Sequence, residues 1–524
     1  MLSKRLISKG GIVNHFINGR MAAATGLRSV PLVPPTHGSP VARVVVDDTV
    51  SCERAVRNAK ETFEVWKSVP LSKKIRKLSR WYHWMEMHSG MLANLVSLEN
   101  GKTHSDALAE VERGMEAIQF AFSAPTQLRG HSSHLSENLR IHTRKEPLGV
   151  VVGILPFNFP VMIPCWIAPL ALAAGNTVVL KASEKTPSAL LAMAEGAKEA
   201  GIPYGALNVI QGDREIVDDL ITSPDVKAVS FVGSSAVGTA IHRKASEHGK
   251  RTQMNMGAKN HAVVMPDANI EDATNAIVGA AFGGAGQRCM AVSVLITVGM
   301  EDSINERVKR LLVKKARELS IDNIGSIVTA EARDNMAIHL RRSETQGAQL
   351  LTGNRNVDSH FIAPFILDQV TVDMPAYREE LFAPVLVCLE VGTLREAMDI
   401  INDNQYGNGT CIFTSSQCTA NEFENGVNVG QVGINVPIPV PPPYYSWTST
   451  KNSFVGSHHI YGPQAFDFYT QTKTTMTRAD ATMSSSPSKT AVATDLPTTG
   501  SRLDDTAGSA VGSVASEMLA KAQQ

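Results

Sequence analysis

The chain has 524 residues, 43% of them hydrophobic and 19% charged, with Lys+Arg and Asp+Glu both at 50. That length is enough for two or three domains, and the composition is that of a globular enzyme. A balanced charge gives no electrostatic reason to expect a nucleic acid, an anionic membrane or a polyanionic partner. The six cysteines (52, 165, 289, 388, 411 and 418) form no CxxC pair and no paired spacing, which fits free thiols in a reducing compartment and no metal site.

At the N-terminus, 1-MLSKRLISKGG-11 carries Lys4, Arg5 and Lys9 around Leu2, Leu6 and Ile7, and the first acidic residue is Asp47. Residues 1–12 read as a short mitochondrial presequence, implying the matrix; the alternative is a frayed basic end on a cytoplasmic protein. From 149 to 266 apolar strands (150-VVVGIL-155, 177-TVVLKA-182, 207-LNVIQG-212, 226-VKAVSFVG-233, 262-AVVM-265) alternate with helical stretches at 187–200, 213–221 and 235–249. This alternation predicts a parallel α/β sheet. The run 161-VMIPCWIAPLALAAG-175 is too short to span a bilayer and predicts a buried helix. A second alternation (291–298, a helix at 303–320, 384–391) predicts a second α/β domain. After about residue 478 the Ser/Thr/Ala/Gly-rich stretch 479–524 predicts a disordered tail.

Cys289 lies in 282-FGGAGQRCM-290, behind three glycines and beside Arg288. A thiol in an open, electropositive turn is disposed to ionise and act as a nucleophile. Asn158, in 153-GILPFNFP-160, leaves a strand end where its amide can donate to a developing oxyanion, or make an Asx turn. In 231-FVGSSAVG-238, Gly233 and Ser234 open a helix N-terminus suited to a pyrophosphate, or simply a tight βα turn. Lys181 and Glu184 of 181-KASE-184 suit ribose hydroxyls or are solvated charges, and 379-EELFAPV-385 places adjacent carboxylates before Phe382.

Together and in this order these segments resemble the aldehyde dehydrogenase superfamily, from about residue 16 to about 478. The resemblance implies a Rossmann-type NAD domain (13–127 and 149–256), an α/β catalytic domain (257–457) and a small β oligomerisation arm (128–148 and 458–478). It also implies that Cys289 attacks an aldehyde, and that Asn158 and the backbone N–H of Cys289 form the oxyanion hole. NAD would be held by Phe157, Lys181, Ser183, Glu184, Gly233, Ser234, Glu380 and Phe382, in a homodimer or homotetramer.

Where most of the superfamily carries a water-activating glutamate, 255-NMGAKN-260 has Asn255, and an amide cannot serve as a general base. NMGAKNH, GQRCM and 431-QVGINVPIPVP-441 are most similar to the CoA-acylating methylmalonate-semialdehyde dehydrogenases. That branch would oxidise malonate or methylmalonate semialdehyde to acetyl-CoA or propionyl-CoA with loss of the carboxylate carbon, as in valine and pyrimidine catabolism. Arg113 and Arg288 would hold the substrate carboxylate; read from its own helix, Arg113 is equally a surface ion pair with Glu112 or Glu116. The stretch 320–370 is shorter than the family pattern, which leaves a hydrolytic enzyme or a degraded paralogue serving as an oligomer subunit as the alternatives.

Overall fold

A computed structural model describes residues 11–35, 37–299, 301–354 and 361–478. The expected presequence, except Gly11 and Ile12, and the expected tail fall outside the described residues. The chain divides into two compact units, residues 1–129 with 145–471, and residues 130–144 with 472–524.

The first unit contains two large sheets. In the first, five parallel strands stand in the order Leu207–Ile210, Thr177–Lys181, Val150–Ile154, Val226–Val232, Arg251–Asn255, with short antiparallel strands at both edges. Numbered from Val150–Ile154 that order is 3-2-1-4-5: the alternation predicted the parallel sheet, and the Rossmann-type arrangement is the one that the resemblance implied. Its direction reverses between the first and fourth strands, where a crevice opens beyond their carboxyl ends. One expected strand is displaced. Of the expected strand 262–265, residues 262–264 lie in Asn260–Val264, in the middle of the second sheet, and the fifth parallel strand of the first sheet is Arg251–Asn255. Its sequence, RTQMN, shows no apolar run; the buried Gln253 donates through Nε2 to Ser230 Oγ and to the Tyr469 hydroxyl.

The second sheet has seven strands, Gln349–Thr352, Phe365–Asp368, Val385–Val391, Val292–Val298, Asn260–Val264, Gly409–Phe413 and Gln431–Ile434, parallel except for the first. The shortened stretch after 320 is folded: helices Ile321–Ile324 and Ala330–Thr345 lead to that antiparallel edge strand.

Against the first sheet packs the helix Met162–Ala174, every residue of which is buried, ending at the left-handed Gly175. Four amphipathic helices precede it, Thr49–Trp66, Leu71–Met87, Ser89–Asn100 and His104–Ala121. The last begins where the Thr103 side chain accepts from the Asp106 N–H, satisfying one otherwise orphaned helix donor.

The second unit is built on a three-stranded sheet from Ser132–Ser136, Leu139–Pro147 and Thr470–Arg478, with every residue of 132–136 exposed. Its second segment starts later than the sequence suggests. Residues 458–471 belong to the first unit, where Tyr461, Phe466, Phe468 and Tyr469 are buried and 463–468 is helical rather than extended.

Candidate active site

A cleft of about 730 Å³ lies at the strand reversal, lined on one side by Ile154–Phe157 and on the other by Phe231–Ser234. Its volume suits a nucleotide-sized ligand. Phe157, Lys181, Ser183, Glu184, Gly233 and Ser234 all line it. Ser234 precedes the helix Ser235–Glu247 without capping it by its own side chain, so the first N–H groups of that helix face the cleft mouth. Burial lowers the pKa of the Lys181 ammonium, while Glu184 and Asp213 pull it back up.

Glu380 and Phe382 are not among the residues lining this cleft but lie beside it. The Phe382 ring meets Phe157 edge-on, centroids 6.0 Å apart, from a backbone held at φ +50°. A positive φ is unfavourable for a bulky residue and persists only where surrounding structure enforces it. Glu380 Oε1 accepts from the Ala258 N–H at 3.0 Å. Burial pushes its carboxyl up to about 7 against the pull of that N–H and of Lys259. Lys259 in turn ties the segment down by donating to the carbonyls of Ala376 and Glu379.

The helix Ile270–Phe282 ends in a left-handed turn, Gly284, Ala285 and Gly286 at φ +61°, +53° and +69°, which delivers Cys289 to the foot of the strand Val292–Val298. Two amides fix the thiol-bearing residue from behind: Asn260 Nδ2 and Asn408 Nδ2 donate to the Cys289 carbonyl at 2.9 and 3.0 Å. Asn408 is itself held by the Trp447 indole and the Ser449 hydroxyl. Asn158 is buried, and its Nδ2 donates one N–H to the Gln287 carbonyl at 3.1 Å, two residues before the cysteine.

The three glycines admit close neighbours, a side chain and another stretch of backbone. Arg288 Nη2 bonds Asp106 Oδ1 at 2.8 Å, and its guanidinium lies over Gly283, where a Cβ would come within 2.7 Å of Nη1. Gly286 makes room for the Ala383 carbonyl, 2.2 Å from where a Cβ would stand. Arg288 is thus engaged by Asp106 across the turn. Burial and the Glu380 carboxylate push the Cys289 thiol up to about 12, and its own N–H, that of Met290 and the Lys102 ammonium work against them. Asp106 holds the Arg288 guanidinium, and the ammonium of Lys102 is a cation that favours the thiolate of Cys289.

Asp106, Glu110 and Arg113 recur at helical spacing on His104–Ala121 and so share one face. Asp106 takes Arg288, and Glu110 takes the buried Lys102 at 2.6 Å. Half-exposed Arg113 pairs with Glu116 at 2.6 Å, the local ion pair that its helix allowed. Arg113 and Cys289 are both among the groups whose charge acts on the buried Tyr461 hydroxyl, Arg113 lowering its pKa and Cys289 raising it, against the larger push of burial.

Asn255 ends its strand with both amide atoms buried and unpaired. Strand alternation puts Met254 into the cluster around Phe231, on one face. Asn255 turns to the opposite face, in register with Val232, which packs on the same core as Cys289. A buried amide with no protein partner costs about 1–3 kcal/mol.

Residues 22–475 match the sequence pattern of the Aldehyde dehydrogenase family. The chain belongs to the aldehyde dehydrogenase family. It is similar to a malonate-semialdehyde dehydrogenase of Pseudomonas aeruginosa, 41% identical over 88% of this chain and 95% of the relative. A Bos taurus relative, named methylmalonate-semialdehyde/malonate-semialdehyde dehydrogenase [acylating], mitochondrial, is 39% identical over 90% of each chain. Among solved structures, a methylmalonate-semialdehyde dehydrogenase from Oceanimonas doudoroffii superposes with a TM-score of 0.87 at 38% identity, covering 90% of this chain and 99% of its own. A Sinorhizobium meliloti protein complexed with NAD gives 0.88 at 34%, with the same coverage. As a family member the chain is an oxidoreductase of aldehydes. No helix among the described residues is long and apolar enough to cross a membrane, and no cluster of metal-ligating residues occurs among them.

Sequence reading missed Lys102, Asp106 and Glu110, and the asparagine pair Asn260 and Asn408. Asp106 and Glu110 carried a usable signal, their i, i+4, i+7 spacing with Arg113. The asparagines carried none, because their partner is a backbone carbonyl far along the chain.

Proposed function

We propose that the chain is an NAD-dependent, CoA-acylating dehydrogenase of malonate or methylmalonate semialdehyde. The carrying observation is Asn255: a buried, unpaired amide stands where hydrolytic relatives place a base. An amide cannot take a proton from water, so an acyl group on Cys289 needs another acceptor. CoA, as a thiol co-substrate, fits that need.

NAD fits the cleft. Its pyrophosphate would lie on Gly233, Ser234 and the helix they open, with Lys181, Ser183 and Glu184 at one ribose, Glu380 at the other, and Phe157 and Phe382 beside the ring. When bound it supplies the hydride acceptor. Cys289 gives up its proton to a water molecule and its sulfur adds to the aldehyde carbon. Asn158, with the remaining amide N–H, and the Cys289 N–H stabilise the alkoxide, which is worth most in a water-poor site. After hydride loss the acyl group stays on Cys289 as a thioester. Arg113 and Arg288 hold the substrate carboxylate, Arg288 by exchanging Asp106 for it, until the C–C bond breaks and the electrons pass into the thioester carbonyl. Protonation at carbon follows, and the CoA sulfur then takes the acyl group from Cys289.

The names of the bovine and Dictyostelium discoideum relatives carry the word mitochondrial, and with the basic N-terminus they support a matrix location. The exposed strand 132–136 supports assembly into dimers or tetramers through the arm. Steady-state NADH formation from malonate semialdehyde is expected to require CoA and to yield acetyl-CoA. Equal rates without CoA, with free acid as product, would contradict the proposal and favour a hydrolytic enzyme.

A further inference from the structure

The segments that carry Asn158 and Cys289 are joined by a closed circuit of hydrogen bonds. Asn158 Nδ2 donates to the Gln287 carbonyl at 3.1 Å, and Gln287 Nε2 donates to the Ser326 carbonyl at 3.1 Å. The Ser326 N–H donates to the Gly101 carbonyl at 3.0 Å. Asn100, next in the chain, closes the loop by donating Nδ2 to the Phe157 carbonyl at 3.0 Å, adjacent to Asn158. Asn100, Asn158, Gln287 and Ser326 are each at most 4% exposed.

The approach at Ser326 depends on two left-handed glycines. Gly101 stands at φ +79° and ends the helix Ser89–Asn100, and Gly325 stands at φ +76°. A Cβ on Gly325 would come within 2.5 Å of the Gly101 carbonyl oxygen. The same corner braces the oxyanion segment further along. Lys102 lies 3.7 Å from the centroid of the Phe159 ring and bonds Glu110, whose other oxygen accepts from the N–H groups of Val161 and Met162.

We propose that the corner Asn100–Lys102 is a positioning element that sets the distance between the oxyanion amide of Asn158 and the Cys289 loop, acting through Ser326 and Gln287. This rests on the reading of Cys289 and Asn158 as the reacting pair. Neither Asn100 nor Ser326 touches the cleft or the thiol. Their effect is on geometry, and small displacements of a reacting pair are costly. The corner also gives the residues beyond 320 a purpose: the shortened stretch retains the peptide at 325–328 that braces the cysteine loop, with the Val328 N–H donating to Gln287 Oε1.

Two variants open the circuit at different bonds. Asn100→Ala removes one donor while Thr186 keeps the Phe157 carbonyl bonded. Gln287→Met removes the link to Ser326 with little change in volume. With saturating NAD and malonate semialdehyde, the rate constant of the first-turnover NADH burst is expected to fall roughly 10- to 100-fold in both. Burst amplitude and KM for NAD should stay within about twofold of the parent, a margin far inside that expected loss. A purely structural role would instead lower the amplitude with the folded fraction and leave the rate constant alone. A parental rate constant in either variant, or a loss confined to amplitude, overturns the proposal. No burst in the parent chain means that the reading of the reacting pair has failed, and the proposal with it.

Discussion

Asn255→Glu is expected to give CoA-independent turnover. The new carboxylate would stand at the end of the strand Arg251–Asn255, on the face shared with Cys289, where an unpaired amide now sits. General-base assistance is worth roughly 10²- to 10⁴-fold, so acyl-enzyme hydrolysis should rise by at least roughly 10²-fold over the parent. Burial lifts a carboxyl above its usual ~4.3, so this hydrolysis should climb with pH as the proton is lost. The cost is an extra methylene in a close-packed site, about 1–3 kcal/mol of stability. Free acid measured alongside acetyl-CoA, from pH 6 to 9, checks it. A variant that stays folded, forms the acyl-enzyme and still releases no acid would show that Asn255 does not face the thioester.

Cys289→Ala should carry the larger loss, at least about 10⁴-fold in NADH formation, because the covalent route disappears with the sulfur. The fold should tolerate it, within about 1 kcal/mol. Asn260 and Asn408 hold the backbone carbonyl of residue 289 rather than its side chain, and those bonds survive the substitution. NAD titration followed by protein fluorescence should give an unchanged affinity. Retained turnover in Cys289→Ala would remove the thiol from the chemistry, and lost NAD affinity would show that the cysteine loop shapes the cofactor cleft.

The parallel sheet could be read from the chain because its central strands are continuous apolar runs separated by helical spacing. The cleft followed from it, since Phe157, Lys181 and Gly233 all stand just past strand ends on the reversal side. Arg251–Asn255 escaped because three of its four buried residues, Thr252, Gln253 and Asn255, are polar and only Met254 is apolar, which leaves no hydrophobic run. The charges around the thiol were only partly legible for a related reason. Arg288 is adjacent to Cys289 in sequence, but its long side chain lies over Gly283 to reach Asp106, while Lys102, almost two hundred positions away, is a cation whose field meets the sulfur. Neighbours along the chain share a backbone; partners in a site share a face, and only folding reveals the second relation. The missing base at 255 was visible from the outset because it is a change of residue type within a motif. Its surroundings, buried and unpaired, were not.

The most direct measurement is the intact mass of the protein after mixing with NAD and malonate semialdehyde in the absence of CoA. The expected result is one NADH per active site and one acyl group on the peptide containing Cys289, stable until CoA is added and then released as acyl-CoA. Continuous NADH formation with Cys289 unmodified, or an acyl group that water removes as readily as CoA does, would contradict the assignment of this chain as a CoA-acylating dehydrogenase.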